Sequence, residues 1–396
     1  MIGPYARFSL IYFLYLSGAA MVSTYWPYRM EALGMSRSMI GALFAGTTCV
    51  AVASQLALAW LSPRVQRPER WLAAFMAGTA LFACAMPWVN GALWMAALFT
   101  LLIIPRSNTL PLADAITVDA LGSEVYDRVR LWGTIGYGVS AGVFGLLTHR
   151  VSHAEAGWWA TVAFAALMVV MTLTSAPHLL HRGALREAAP SHLSGRAPPD
   201  LKSLTRQPAL AGLLAMGAFH WAGIMIFNIY TPLHLKELGH GNAIPGAVVA
   251  VAICAEVLGL FAARHLFRRA AAARWMPLIF ILTAARWTAT ALATSIPALI
   301  AAQALHLISF GVWLAANMRL LGLFAPDDQR SGVQSLFFAV SFGLGGALGS
   351  ALGGQVMEHH GGAATFLAAA ALDLLALLTW ALGFRGRLPQ ENATNN

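Results

Sequence analysis

Long apolar segments, each long enough to cross a lipid bilayer, follow one another along nearly the whole chain. A helix needs about 20 mostly apolar residues to cross the hydrocarbon core of a membrane. Turn-forming residues divide the two longest uncharged stretches, near residues 86–91 and 295–297. We therefore predict twelve spanning helices, at residues 8–28, 37–62, 71–89, 92–117, 129–149, 157–177, 208–235, 244–266, 275–293, 297–320, 331–356 and 362–384.

The composition excludes a soluble protein. Of the 396 residues, 58% are hydrophobic and 10% are charged, whereas a typical soluble domain has about 25% charged residues. So few charges cannot cover the surface of a soluble enzyme, and the same composition excludes a disordered chain and a secreted disulfide scaffold. Residues 8–28 are too long for a cleavable signal peptide, and we expect them to form the first span.

Basic residues are distributed unevenly over the predicted loops. The chain has 25 Lys and Arg against 16 Asp and Glu, which gives a net charge of +9. Most of the basic residues lie near the two termini and in the loops on the same side, while the opposite loops hold Arg29, Arg37, Arg150 and Lys236. Because cytoplasmic loops are enriched in Lys and Arg, we predict that both termini are cytoplasmic. The basic charge then needs no nucleic-acid partner.

A polar segment rich in Arg, Pro, Ser and His, residues 178–207, separates the sixth span from the seventh. We predict that it is a cytoplasmic linker between an N-terminal six-helix bundle, residues 1–177, and a C-terminal six-helix bundle, residues 208–396. A weak internal repeat supports two halves, because Arg128 and Arg330 open corresponding glycine-rich spans. Two parallel repeats around a central site are an architecture of transporters.

Charged residues inside the N-terminal spans mark a candidate binding site, because a charge in hydrocarbon is costly. Arg106 lies in the fourth span, Asp114 follows eight residues later, and Arg130 begins the fifth span. In the functional interpretation, Arg106 binds an anion in a water-filled cavity, with Asp114 and Arg130 as a partner pair. In the structural interpretation, ion pairing ties the fourth and fifth spans together. Tyr12 and Tyr15 of the first span either line the cavity or pack between helices.

Three ionisable residues of the C-terminal half lie deep in neighbouring spans: Glu256, Arg286 and His306. A buried carboxyl gains or loses its proton as an arginine moves away from it or returns. This is the chemistry that proton coupling needs. The alternative is a fixed salt bridge beside a hydrogen-bonded core histidine.

Four further residues inside the C-terminal spans are less specific. His220 in the seventh span either binds substrate, carries a proton or bonds to a neighbouring helix. Asn228 lies further along the same span. Trp313 belongs to a polar and aromatic face of the tenth span, which suits either an aromatic substrate or helix packing. Asp373 in the twelfth span has no obvious partner in the sequence, and we expect a structural role for it.

The sequence contains no motif of a soluble enzyme. It lacks a Walker A motif, so direct use of ATP is not expected. It has no HExxH motif and no Cys/His cluster with the spacing of a metal site. The glycine-rich runs follow no predicted strand. We therefore expect a protein that is not an enzyme and needs neither a cofactor nor a metal.

Several short motifs occur together and in order along the chain: Pro111-Leu112-Ala113-Asp114-Ala115, Tyr126-Asp127-Arg128-Val129-Arg130-Leu131-Trp132-Gly133, Ala255-Glu256-Val257, Phe267-Arg268-Arg269, Arg286-Trp287 and Leu305-His306. With them, nearly the whole chain resembles a major facilitator superfamily transporter. It is most similar to the phenylpropionate permease branch, which is related to the lactose permease and nucleoside symporter groups. The resemblance implies an all-α membrane protein with twelve transmembrane helices in two pseudo-symmetric six-helix bundles.

The resemblance also implies roles for particular residues. Asp114 and Arg130 match the acid–arginine pair that binds sugar in lactose permease. A second set matches acid, arginine and histidine positions of its binding and proton-coupling network: Glu256, Arg286 and His306. Ser309 replaces the coupling carboxylate that follows that histidine in lactose permease, which argues against the same proton path and against sugar as the substrate. The fifth span lacks the Gly-Pro signature associated with antiporters, which favours symport.

The leading hypothesis is a proton-coupled symporter that imports a small organic anion across a bacterial inner membrane by alternating access. An aromatic carboxylate of the phenylpropionate type is the favoured candidate, with Arg106 holding its carboxylate. The alternatives are a transporter of a nucleoside, a sugar or a siderophore-like chelate, an exporter, and a membrane receptor that does not transport. The expected partners are a small-molecule substrate, protons and the lipid bilayer. We expect a monomer.

Overall fold

The computed structural model describes residues 3–61, 67–185, 208–269, 271–324 and 330–384. All regular structure in these ranges is helical, and no strand occurs in them. Helices are expected here because hydrocarbon offers no hydrogen-bond partner, so each segment must satisfy its own backbone groups. The prediction of an all-α membrane protein is therefore confirmed.

The described residues up to Leu185 contain seven α-helices. Helix α1 ends at Thr24, and the short helix α2 begins at Trp26 with Pro27 in its first turn. A 3-10 turn at Met86–Trp88 and Gly91, with φ 116°, separate α4 from α5. This confirms the break predicted near residues 86–91. The bounds are α1 Pro4–Thr24, α2 Trp26–Ala32, α3 Arg37–Leu61, α4 Pro68–Ala85, α5 Ala92–Leu121, α6 Ser123–Leu147 and α7 His153–Leu185.

The described residues from Pro208 onward contain seven further α-helices, with π-helical turns at Leu307–Val312 and Phe338–Gly345. Helix α10 ends at Leu292 and α11 begins at Ile296, which confirms the second predicted break. Gly361, with φ 77°, divides α14 into two helices. The bounds are α8 Pro208–Glu237, α9 Ala243–Arg269, α10 Ala272–Leu292, α11 Ile296–Gln303, α12 Trp313–Phe324, α13 Arg330–Phe337 and α14 Gly346–Phe384.

Ten helical segments of the described chain are long and apolar enough to cross a membrane. The last of them, Gly332–Gly383, covers the eleventh and the twelfth predicted spans except for residues 331 and 384. Helix α6, which carries charged residues in its first two turns, is not among the ten. Large apolar side chains also face outward, as Trp60 and Trp88 do with 70% and 80% exposure. The chain is a multi-pass membrane protein.

Residue contacts group the chain into two units. Unit 1 comprises Met1–Arg196 and Leu235–Ala250, and unit 2 comprises Ala197–His234 and Val251–Asn396. Helix α7 continues to Leu185, so its last residues lie within the segment 178–207 that was predicted to be a linker. Residues 186–207 lie outside the described residues. The division into bundles 1–177 and 208–396 stays a prediction.

Glycines allow the helices to pack at short distances within each unit. In unit 1, a methyl group added at Gly136 of α6 would lie 2.5 Å from the backbone oxygen of Phe13 in α1. In unit 2, a methyl group at Gly259 of α9 would lie 2.1 Å from the backbone oxygen of Leu307 in the first π-helical turn. Small residues at such crossings let two backbones approach closely.

Candidate functional site

In unit 1, helices α1, α5 and α6 bring together three predicted residues, because Tyr12 and Arg130 both contact the carboxylate of Asp114. The hydroxyl of Tyr12 donates to Oδ1 of Asp114 at 2.7 Å, and Nη1 of Arg130 donates to Oδ2 at 2.7 Å. Arg130 also donates to the hydroxyl of Tyr126. The side chains of Arg130 and Asp114 are 45% and 27% exposed, so this acid–arginine pair is open to solvent.

Arg106 occupies a different environment on the same helix as Asp114. Its guanidinium lies over the ring of Tyr15, with 5.5 Å from Cζ to the ring centroid. The hydroxyl of Tyr15 donates to the backbone oxygen of Arg106 at 2.8 Å, which anchors the ring to α5. The residue is half-buried, and no ion pair to Arg106 occurs among the described residues. A half-buried guanidinium in this setting is suited to binding an anion.

In unit 2, Arg286 is the centre of a buried polar cluster. Its Nε and Nη2 donate to Oε1 of Gln303 at 3.2 and 2.7 Å. Its Nη1 donates to Nδ1 of His306 at 2.7 Å and to Oγ of Ser309 at 2.9 Å. The guanidinium also lies 4.3 Å from the ring centroid of Trp287. The arginine side chain is 0% exposed, so neutral groups and an aromatic face replace its hydration.

His306 joins Arg286 to Glu256. Since arginine can only donate, Nδ1 of His306 is the acceptor and its ring hydrogen lies on Nε2. That Nε2 lies 3.6 Å from Oε2 of Glu256, whose side chain is 14% exposed. The structure thus brings together the three residues predicted to form a network, in the order Arg286, His306, Glu256. This series of contacts leads from a fully buried cation to a partly accessible carboxyl.

A second buried contact in unit 2 joins α8 to α14. Nδ1 of His220 lies 2.6 Å from Oδ1 of Asp373, and both side chains are 0% exposed. Nε1 of Trp287 donates to Oδ2 of the same carboxyl at 2.7 Å. Nε2 of His220 lies 2.7 Å from the backbone oxygen of Ser309. The sequence showed no partner for Asp373, because this partner lies 153 residues away. The one signal available was a carboxyl inside a predicted span.

The two remaining predicted residues lie near this cluster in different settings. Trp313 is 0% exposed and stacks on His220, with 4.5 Å between ring centroids. It belongs to the apolar core of unit 2. Asn228 is half-buried, and its Nδ2 lies 3.9 Å from Sδ of Met225. The described residues contain no group of three His, Cys, Asp or Glu that could hold a metal ion.

Ser309 belongs to the buried cluster and lies in the π-helical turn at Leu307–Val312, three residues after His306. The resemblance identified it only as the replacement for a carboxylate, and its partners became visible in the structure. Ser309 is buried, its hydroxyl faces Arg286, and its backbone oxygen faces His220. One residue therefore touches both buried contacts of unit 2.

The chain is similar in sequence to known membrane transporters. The family model described as "MFS_1 like family" matches residues 5–368. A maltose permease of Geobacillus stearothermophilus is 25% identical over 364 residues, covering 89% of this chain and 87% of that protein. A probable 3-phenylpropionic acid transporter of Escherichia coli (strain K12) is 24% identical over 361 residues, covering 89% and 91%.

Solved transporter structures share the fold. The nucleoside transporter NupG has a TM-score of 0.77 and 16% identity, and covers 97% of this chain and 100% of that chain. A bacterial homologue of the human lysosomal transporter Spinster, in an inward-facing and unoccupied conformation, has a TM-score of 0.76 and 14% identity, with 97% and 98% covered. The predicted fold class is thereby confirmed.

Proposed function

Because this chain belongs to the MFS_1 like family and is a membrane transporter rather than an enzyme, we propose that it carries a small organic anion together with protons across a bacterial inner membrane. Transport proceeds by alternating access. The favoured substrate is an aromatic carboxylate of the phenylpropionate type. The observation that carries the proposal is Arg106, a half-buried intramembrane guanidinium over an aromatic ring.

Arg106 supports an anionic substrate because its charge needs a partner. Placing an arginine at the centre of a spanning helix costs about 2.5–3.5 kcal/mol on insertion scales. A substrate carboxylate can offset this cost through two parallel hydrogen bonds to the guanidinium. The ring of Tyr15 is 6% exposed and lies against the guanidinium, so it holds the arginine in place. The relative in Escherichia coli, named for 3-phenylpropionic acid, is consistent with this chemistry.

Proton coupling is supported by the chain of contacts in unit 2. Arg286 donates to His306, and the other ring nitrogen of His306 faces Glu256. Protonation of Glu256 removes its negative charge and weakens its attraction for the imidazole. Movement of that ring would then alter the hydrogen bonds of Arg286. In this proposal Glu256 exchanges the proton with water, and His306 transmits the change to the buried arginine.

A polyhydroxylated substrate is the second candidate, and the open pair of Asp114 and Arg130 favours it. A carboxylate and a guanidinium side by side can accept from and donate to neighbouring hydroxyls. Both groups are partly exposed, and Tyr12 adds a hydroxyl to the same cluster. A maltose permease among the relatives and a nucleoside transporter among the structural neighbours support this alternative.

The setting of the protein is part of the same proposal. Lys and Arg are in excess in the loops that are predicted to lie on the same side of the membrane as both termini. This excess supports a cytoplasmic location for the two termini. The partners are a small-molecule substrate, protons and the lipid bilayer, with no nucleic acid. We propose that the monomer is the transporting unit.

The test is uptake of labelled 3-phenylpropionate into proteoliposomes under an imposed pH gradient. We expect accumulation by the wild-type protein, and competition by unlabelled 3-phenylpropionate but not by maltose or uridine. Arg106→Ala should lose uptake. Arg319→Ala is the matched control, because Arg319 is an exposed guanidinium in α12 that lies 5.0 Å from the ring centroid of Phe267.

Each result separates the candidates. Uptake that survives in Arg106→Ala would contradict the role of that arginine. Uptake of maltose or uridine instead of the acid would favour the second candidate. Accumulation that does not respond to the pH gradient would contradict proton coupling.

A further inference from the structure

We propose that the His220–Asp373 pair of unit 2 is a proton-binding site, which holds one exchangeable proton in this conformation and releases it when α8 and α14 separate. The role of this site in transport rests on the proposed function. Proton binding by the pair does not, because it follows from the hydrogen-bond geometry alone.

The two partners of His220 require a hydrogen at each ring nitrogen, carried either by the ring or, at Nδ1, by the carboxyl of Asp373. Its Nε2 lies 2.7 Å from the backbone oxygen of Ser309, and a carbonyl oxygen can only accept. One hydrogen is therefore on Nε2. Its Nδ1 lies 2.6 Å from Oδ1 of Asp373, a distance at which two lone pairs cannot face each other without a hydrogen between them. A second hydrogen therefore lies between Nδ1 and Oδ1.

That second hydrogen is one proton more than a neutral imidazole and a carboxylate contain. It belongs either to an imidazolium beside a carboxylate or to a neutral imidazole beside a carboxylic acid, and the pair as a whole is neutral in both forms. Trp287, which donates to Oδ2 of Asp373 at 2.7 Å, favours the carboxylate form. When the proton leaves for water, the pair becomes a neutral imidazole and a carboxylate and carries one negative charge.

Release of the proton is tied to movement of the helices. Without the hydrogen, Nδ1 of His220 and Oδ1 of Asp373 repel at 2.6 Å, so α8 and α14 must move apart or the imidazole must turn. The present contact is close: a methyl group added at Gly223 of α8 would lie 3.2 Å from Oδ2 of Asp373 and from Nε1 of Trp287. Loss of the proton therefore favours a different packing of α8 against α14.

The charged and titratable groups around the pair come from each element that packs on it. Helix α10 contributes Arg286, which contacts the ring of Trp287, and the segment that follows α11 contributes His306. Helix α9 contributes Glu256 through its contact with His306. Arg286 is the cation that would attract the net negative charge left on the pair after the proton leaves.

Ser309 connects this pair to the Arg286 cluster. Its backbone oxygen accepts from His220, and its hydroxyl lies 2.9 Å from Nη1 of Arg286 and 3.3 Å from Nδ1 of His306. A change in the protonation of the pair can therefore reach Arg286 by two routes, through Ser309 and through Trp287.

The direct test uses the full-length protein labelled with 15N-histidine in lipid nanodiscs at about pH 8, above the ordinary pKa of histidine. NMR distinguishes protonated from unprotonated ring nitrogens, His220→Gln assigns the signal, and infrared spectroscopy detects a protonated carboxyl. Two protonated nitrogens on His220 would support the proposal. One unprotonated nitrogen together with a carboxylic acid band that is absent from Asp373→Asn would also support it. One unprotonated nitrogen without such a band would overturn it.

Asp373→Asn also tests the transport role without removing the hydrogen bonds. The amide oxygen of Asn can accept from Trp287, and its N–H can donate to an unprotonated Nδ1, so this variant needs no bound proton. We expect it to lose accumulation of 3-phenylpropionate driven by the pH gradient and to keep exchange of labelled for unlabelled 3-phenylpropionate. Unchanged gradient-driven accumulation would overturn the coupling role. If the wild-type protein does not transport this acid, the proposed substrate fails, and the spectra still decide proton binding.

Discussion

Replacement of Asp373 by alanine should destabilise the protein, whereas replacement by asparagine should have little effect. The carboxyl is 0% exposed and is bonded to Nδ1 of His220 and Nε1 of Trp287. Alanine removes both contacts and leaves two polar groups without a partner in a site that water does not reach. Asparagine has nearly the same shape and offers one acceptor and one donor in their place.

The magnitude follows from the number of groups left unpaired. A buried donor or acceptor without a partner costs about 1–3 kcal/mol. Two such groups in Asp373→Ala therefore cost about 2–6 kcal/mol. Asp373→Asn keeps both bonds between uncharged groups, so we expect a loss below about 1 kcal/mol, within the range of one ordinary hydrogen bond.

Thermal unfolding of the purified protein in detergent provides the assay. For a domain of 150–250 residues, about 1 kcal/mol shifts the melting temperature by roughly 2–4 °C. Asp373→Ala should therefore melt about 4 °C or more below the wild type. Asp127→Ala, which removes an exposed carboxyl at the start of α6, is the control and should melt with the wild type. A wild-type melting temperature for Asp373→Ala, or equal losses for alanine and asparagine, would refute the reasoning.

Three further predictions test other contacts. Arg286→Lys should lower the initial rate of 3-phenylpropionate uptake at least about tenfold, because a hydrogen bond to a charged group contributes about 1.5–3 kcal/mol. One ammonium cannot replace the two nitrogens of Arg286 that donate to Gln303. A wild-type rate would contradict this. Gly136→Ala should lower the melting temperature through a clash costing about 1–3 kcal/mol. Gly142→Ala should not, because its new methyl group would lie 3.5 Å from the nearest neighbour. Equal effects of the two variants would count against the close crossing of α1 and α6. Tyr12→Phe removes one donor from a carboxylate that keeps its arginine, so thermal unfolding should show a loss of about 1 kcal/mol, and an unchanged melting temperature would argue against this bond.

Apolar patterning predicted most of the fold. Each span must satisfy its own backbone groups in hydrocarbon, so the length and hydropathy of a segment suffice to place a helix. Proline and glycine placed the breaks correctly near residues 86–91 and 295–297, because they disturb the helix locally. Helix α7 continues to Leu185, past residue 177 where the sixth span was predicted to end, because a polar segment can extend a helix without adding to its apolar length.

The candidate site was predictable only as separate residues. A charge inside an apolar segment is visible in the sequence, and Arg106, Glu256, Arg286 and His306 were identified in this way. The contact between Asp373 and a histidine 153 residues away was not visible, because nothing local to either residue indicates it.

The sequence by itself determined the helical membrane fold and the identity of the intramembrane charges, because both depend on the transfer of single segments from water to lipid. The tertiary structure alone decided which charges meet. It placed the guanidinium of Arg106 over Tyr15, and it put Ser309 between Arg286 and His220 through a π-helical turn. It also brought Nδ1 of His220 to 2.6 Å from Oδ1 of Asp373, because only the packing of distant helices places two such atoms within hydrogen-bond distance.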